Sequence, residues 1–101
     1  MQTSVNKDGS KTVVKLTGRF DFNTHRDFRD ACDPLVSDNA VREIVIDFGG
    51  VDYLDSSALG MLLMLRDKAS GSGKDVSLTG VRGSVKQVLD IANFSKLFKI
   101  V

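Results

Sequence analysis

The sequence predicts an α/β domain: a mixed, mostly parallel β-sheet of about five strands with three or more helices packed on it. Three observations carry this. Short β-branched runs end at glycines or turns. Apolar residues recur at helical spacing between those runs. The two patterns alternate in the order β-β-α-β-α-β-α-β. The 101 residues suit a single domain over 1–101. With 42% hydrophobic and 27% charged residues, the composition is that of a globular chain, too apolar for a disordered one.

Thr12-Val13-Val14-Lys15-Leu16-Thr17 reads as a strand bounded by Gly18, and Met1 to Val5 pairs with it as a hairpin across an Asn6-Lys7-Asp8-Gly9 turn. Thr24 and Asp27 have capping-box spacing, with Asp in place of Glu. The helix that follows puts Phe28, Ala31, Cys32 and Leu35 on one face, and Pro34 is expected to kink or weaken its end. Glu43-Ile44-Val45-Ile46-Asp47-Phe48 is nearly continuous apolar sequence, the pattern of a central strand covered on both faces. Gly49-Gly50 breaks it. Ser56 to about Ala69 is helical, and Ser70-Gly71-Ser72-Gly73 is a tight loop into a strand at Asp75 to Thr79. Val85, Val88, Leu89 and Ala92 mark a third helix, and Phe98 to Val101 an edge strand.

A formal net charge of +1 gives no global attraction to nucleic acid or to an anionic membrane. No apolar run approaches the roughly 20 residues that span a bilayer, and Met1 to Lys11 is too polar for a signal peptide. No nucleic-acid partner and no direct membrane insertion are expected, and the location expected is cytoplasmic. Cys32, the one cysteine, falls on an apolar helix face and reads as a buried structural thiol.

The most informative stretch is Asp55-Ser56-Ser57-Ala58-Leu59-Gly60, where a loop turns into a helix. Ser and Asp belong there for structure alone, because they accept hydrogen bonds from a first helical turn. The same position tolerates an anion, since a helix start offers free N–H donors and partial positive charge. Ser56 is therefore either a cap or a site for phosphate, and both readings stand. At 100° per residue, Ala58, Met61, Leu62, Leu65 and Ala69 form the expected core face. Leu59 and Leu63 lie on another side, in line with Ser56 and Gly60, with Arg66 continuing the line. That second stripe is either a docking surface or the margin of a wide buried arc.

These residues resemble a known family. Asp55-Ser56-Ser57-Ala58-Leu59-Gly60 followed by Met61-Leu62-Leu63 is similar to the Asp-Ser-Ser/Thr-Gly-Leu-Gly pattern of STAS domains, and more narrowly of bacterial anti-sigma factor antagonists. Gly18-Arg19-Phe20-Asp21-Phe22-Asn23-Thr24 resembles that family's Gly-Glu-Leu-Asp-x-x-Thr segment, and Leu97-Phe98-Lys99-Ile100 also fits. The resemblance covers essentially the whole chain and implies a STAS fold. It implies partner switching: the unphosphorylated protein binds an anti-sigma factor, often a serine kinase, and frees a sigma factor. Phosphorylation ends the binding, and a metal-dependent PP2C-type serine phosphatase reverses it. By position Ser56 takes the phosphate, with Ser57 as the second candidate. Asp21, Asn23, Thr24, Asp55, Ser56, Ser57, Leu59, Gly60 and Leu63 are the implied partner-binding residues. Arg19, Phe20, His25 and Ala58 depart from the family pattern.

No catalytic residue, cofactor or metal is expected. His25, the only histidine, reads as a solvated helix-start residue. One His and one Cys without ligand spacing do not make a metal shell. Asp47 and Asp52 read as turn residues, although Asp52 with Asp55 could hold a divalent cation. Gly71, Gly73 and Lys74 only faintly suggest phosphate binding. Lys96 and Lys99 read as solvated charge. The expected state is a monomer, with a dimer as the alternative. The competing function is an accessory STAS subunit, for instance of a transporter or another signalling complex, that is not phosphorylated. A small phosphatase lacks a base, a nucleophile pair and a metal cluster.

Overall fold

The computed structural model describes residues 1–101. A hairpin joins β1 (Gln2–Asp8) to β2 (Lys11–Phe20), paired from Gln2 opposite Thr17 to Asp8 opposite Lys11. Its turn is Gly9-Ser10, not the expected Asn6-to-Gly9 stretch. Gly9 alone takes the left-handed conformation (φ 63°), so Asn6, Lys7 and Asp8 stay in the strand. Nor does Gly18 end β2. It is absorbed at φ 102° beside a register shift, and the strand runs on to Phe20.

A 3-10 turn (Phe22–Thr24) leads into α1 (His25–Ser37), then β3 (Glu43–Leu54), α2 (Ser56–Gly71), β4 (Asp75–Thr79) and α3 (Gly83–Ile91). A second 3-10 turn (Phe94–Lys96) precedes β5 (Lys99–Ile100). The sheet order is β1-β2-β3-β4-β5, with only β1 antiparallel to its neighbour. This is the mixed, mostly parallel sheet that the alternation predicts.

Each β-α-β step advances one strand in the same direction, so right-handed crossovers place all three helices on one face. The core follows. Val14, Leu16, Ile44, Ile46, Phe48 and Leu78 of the sheet cluster with Phe28, Cys32 and Leu35 of α1, with Ala58, Leu62 and Leu65 of α2, and with Val85 and Leu89 of α3. The expectation that β3 is covered on both faces does not hold. Glu43, Val45 and Asp47 share an open face with Lys11, Val13, Ser77 and Thr79. Val45 is nonetheless 5% exposed, because Val13 and Ser77 flank it on the neighbouring strands. Lateral shielding alone makes that run read as a two-sided strand.

Three details are local. Pro34 lies inside α1 near its end at Ser37, and the carbonyl left without its donor belongs to Asp30, an exposed residue. Met61 of α2 is half-buried rather than core, lining a crevice with Met64 against Phe28 and Cys32 of α1. Lys74 is buried, its Nζ donating to the carbonyls of Asp38 (2.9 Å) and Val41 (2.8 Å). The Gly71-Gly73-Lys74 segment thus fastens the turn before β4 to the loop before β3. Cys32 is 1% exposed, and burial pushes its thiol up to about 12, which keeps it protonated and inert.

Candidate functional site

The strands β2 and β3 end side by side, with Phe20 opposite Leu54. The residue after β3 holds them together: the Asp55 N–H donates to the Phe20 carbonyl at 3.3 Å. Carboxyl ends of parallel strands are where open α/β sheets place their binding sites. Here that edge carries the 3-10 turn and the start of α2.

Asp55 organises the edge. Its extended backbone (φ −106°, ψ 178°) makes it the N-cap of α2. Oδ1 accepts from the Ala58 N–H (3.1 Å) and from the Ser57 hydroxyl (2.6 Å), while Oδ2 accepts from the Phe22 N–H (3.4 Å). One carboxylate therefore joins the helix start to the 3-10 turn. The Ser57 hydroxyl holds this carboxyl below the ordinary aspartate range, aided by the backbone donors of Ala58, Phe22 and Ser57, against a burial effect that raises it.

A carboxyl that ionises at lower pH in the folded state contributes stability above its unfolded value, and loses it as pH falls through the folded one. Asp55→Asn is therefore expected to melt below wild type at neutral pH. The two melting curves should converge in acid, once the pH has fallen through the lowered folded-state value and the wild-type carboxyl is protonated as well. Thermal unfolding from pH 7 downward checks this, and a gap that stays constant with pH contradicts it.

Asp21 organises the other segment. Its Oδ1 accepts from the Asn23 N–H (3.0 Å), and the Thr24 hydroxyl accepts from the Asp21 N–H (2.9 Å) while donating to the Asp21 carbonyl (3.0 Å). The capping box thus lies one turn earlier than the expected Thr24–Asp27 pair, because Thr24 is spent on Asp21. His25 is not freely solvated. It is half-buried, its Nδ1 hydrogen-bonds the Phe22 carbonyl at 2.7 Å, and its ring leans on Phe22 with centroids 5.4 Å apart.

Ser56 is the first residue of α2 and is exposed. Asp55 performs the capping, so the Ser56 hydroxyl is left out of the intramolecular hydrogen bonding. Ser57 is half-buried with its hydroxyl engaged. The Asp55–Phe22 bond brings Asp21, Asn23 and Thr24 together with Asp55, Ser56 and Ser57. Gly60 lies one turn further along α2, exposed, with open space where a Cβ would stand. Leu59 and Leu63 are half-buried against the margin of the core, which answers the question of the second stripe: both belong in part to the wide buried arc. Arg66 continues that side, its Nε donating to the Leu97 carbonyl at 2.7 Å.

Two residues of this surface fall outside the sequence-derived set. Phe22 is 68% exposed and Met64 is 53% exposed. Met64 stands eight residues after Ser56, about 80° away around the helix, so helical spacing could have found it. Phe22 carried only the weaker signal of an aromatic between polar turn residues.

The family described as Mlab, STAS domain matches residues 3–101. The chain is 46% identical over 93 residues to a STAS-domain containing protein of Pseudomonas aeruginosa, covering 92% of this chain and 90% of that one. It is 25% identical over 88 residues to an anti-sigma F factor antagonist of Paenibacillus polymyxa, covering 87% and 75% respectively. The crystal structure of an anti-sigma factor antagonist from Mycobacterium paratuberculosis superposes with a TM-score of 0.87 at 21% identity, covering 98% of this chain and 83% of that one. The last of these is a likeness of fold.

Proposed function

Since the chain belongs to the STAS domain family, we propose that it is an anti-sigma factor antagonist working by partner switching in the cytoplasm. In this reading the unphosphorylated chain binds an anti-sigma factor, often itself a serine kinase, so that a sigma factor goes free. Transfer of a phosphoryl group to the Ser56 oxygen ends the complex, and a PP2C-type serine phosphatase restores it. The docking surface comprises Ser56, Gly60 and the Asp21–Thr24 turn, edged by Leu59 and Leu63.

The observation that supports this best is the division of labour among Asp55, Ser56 and Ser57. Asp55 caps the helix, and Ser57 is bound to Asp55 at 2.6 Å. Ser56 is exposed and carries no share of the fold. A phosphate there adds about −1.5 to −2 charges at a helix start, where charge of that sign is favoured. It alters the surface and spares the helix beneath.

Incubation with a co-encoded serine kinase and ATP, followed by intact mass and peptide mapping, tests the assignment. One phosphate is expected, on Ser56, absent in Ser56→Ala and retained in Ser57→Ala. A chain that takes no phosphate from any such kinase would be better described as an unphosphorylated accessory subunit.

A further inference from the structure

We propose that the partner presents a carboxylate to Arg19, and that this acidic contact is what a phosphate on Ser56 repels. The inference rests on the partner-switching reading and names the chemistry of the partner's contact.

Arg19 of β2 stands opposite Tyr53 of β3, and its guanidinium carbon lies 4.2 Å from the Tyr53 ring centroid. The stack holds the guanidinium in one plane over an aromatic face. The Arg19 side chain is 63% exposed, and its one acidic neighbour is Asp21, at 3.5 Å from Nε to Oδ2. That is long beside the roughly 2.7–2.9 Å of a strong charge-assisted hydrogen bond. The other Asp21 oxygen already accepts from the Asn23 N–H. The two terminal amino groups of Arg19 bond to nothing else in the chain. Arg19 therefore offers a pre-ordered fork, the geometry that receives a carboxylate on two parallel N–H groups.

What surrounds the fork narrows the choice of ligand. Asp21 and Asp55 lie at the same edge of the sheet. Those charges oppose a polyanion such as nucleic acid, but leave room for one carboxylate at Arg19. On the turn that follows β2, Phe22 is 68% exposed, its ring set against His25. A cation backed by one aromatic ring, with a second exposed aromatic on the next turn, suits an acidic side chain followed by an apolar one. Arginine and aromatic residues are the types that dominate the binding energy of protein interfaces.

The fork also connects to Ser56. Arg19 contacts Asp21, the Phe22 N–H contacts Asp55, and Asp55 precedes Ser56. An acidic group drawn to Arg19 thus docks at the same edge of the sheet that carries Ser56. Like charges brought together in an interface act against the complex.

The test needs the partner in hand. The probe is the protein retained by immobilised Ser56→Ala and not by Ser56→Asp, purified and titrated into Ser56→Ala alone and into Ser56→Ala carrying Arg19→Lys, Arg19→Gln or Arg19→Glu. Arg19→Gln is expected to weaken binding by about tenfold and Arg19→Glu by more. Arg19→Lys should fall between wild type and Arg19→Gln, since a point charge lacks the fork. The salt dependence of binding should flatten in Arg19→Gln. Melting temperatures should stay close to that of Ser56→Ala. If Arg19→Glu binds within about twofold of Ser56→Ala, the inference is overturned and partner switching stands. If no protein distinguishes Ser56→Ala from Ser56→Asp, partner switching itself fails and the inference falls with it.

Discussion

Ser56→Asp is expected to bind the partner at least about a hundredfold more weakly than wild type, with an unchanged melting temperature. Two features of the site lead there. The hydroxyl of Ser56 is exposed and the cap belongs to Asp55, so nothing in the fold responds to the substitution. A carboxylate at a helix start is if anything mildly stabilising. The docking surface, by contrast, gains a charge that the partner must meet at close range. A hundredfold loss corresponds to about 2.8 kcal/mol, modest for a misplaced charge in an interface. Ser56→Ala should bind whether or not a kinase is present. Titration calorimetry and thermal unfolding measure the two quantities separately. A Ser56→Asp chain that binds as tightly as wild type would end the switch account, and one that melts far lower would make Ser56 structural.

Gly80→Ala is expected to cost about 3 kcal/mol or more, the largest stability loss among small substitutions at surface turns. Gly80 follows β4 with φ at 71°, a conformation that disfavours any Cβ. A Cβ there would stand 2.6 Å from Asp47 Oδ1, 2.7 Å from the Gly49 nitrogen and 3.1 Å from the Gly49 Cα. The last two are backbone atoms of β3 and cannot swing aside. Asp47 is not free to move either, because its Oδ1 accepts the Gly49 N–H at 2.8 Å. The substitution must therefore shift β3 against β4 or break that bond. In a domain of this size about 3 kcal/mol lowers the melting temperature by roughly 12–24 °C. Differential scanning calorimetry reads this directly, and a shift of only a degree or two would mean that the β3–β4 edge yields easily. Asp47 itself reads from sequence as a turn residue. The structure instead places it within β3, opposite Lys15 and Thr79, and the strand runs on through Gly49-Gly50 to Leu54 rather than breaking there.

The element order and the sheet class were legible because they depend on period and spacing, which the chain states openly. Val13-Val14, Ile44-Val45-Ile46 and Val85-Val88-Leu89 each announce their element. The errors concern contacts that period does not encode. Val45 reads as doubly covered because a residue shielded by strand neighbours has the same apolar character as one shielded by a helix. The hairpin turn slipped because Asn6, Lys7 and Asp8 all suit turns, and only pairing with β2 decides which residues leave the strand. Thr24 has the spacing of a cap for α1, but Asp21 competes for its hydroxyl and prevails.

At the site, the choice among Asp55, Ser56 and Ser57 was beyond composition. Asp and Ser both cap helices well, and only the backbone of the turn puts Asp55 at the N-cap. Geometry in this way separates a serine with a structural partner from one without. Leu59 and Leu63 illustrate the same limit. Their angle on the helix was right, but their partial burial depends on packing against the core, which helical period does not encode.

The most direct test of partner switching is the affinity of the enzymatically phosphorylated chain for its partner, set beside that of the unphosphorylated chain in the same buffer. The account predicts a loss of about a hundredfold or more, carried by a single phosphate on Ser56, with the melting temperature held. Equal affinity of the two forms, within about threefold, would contradict it.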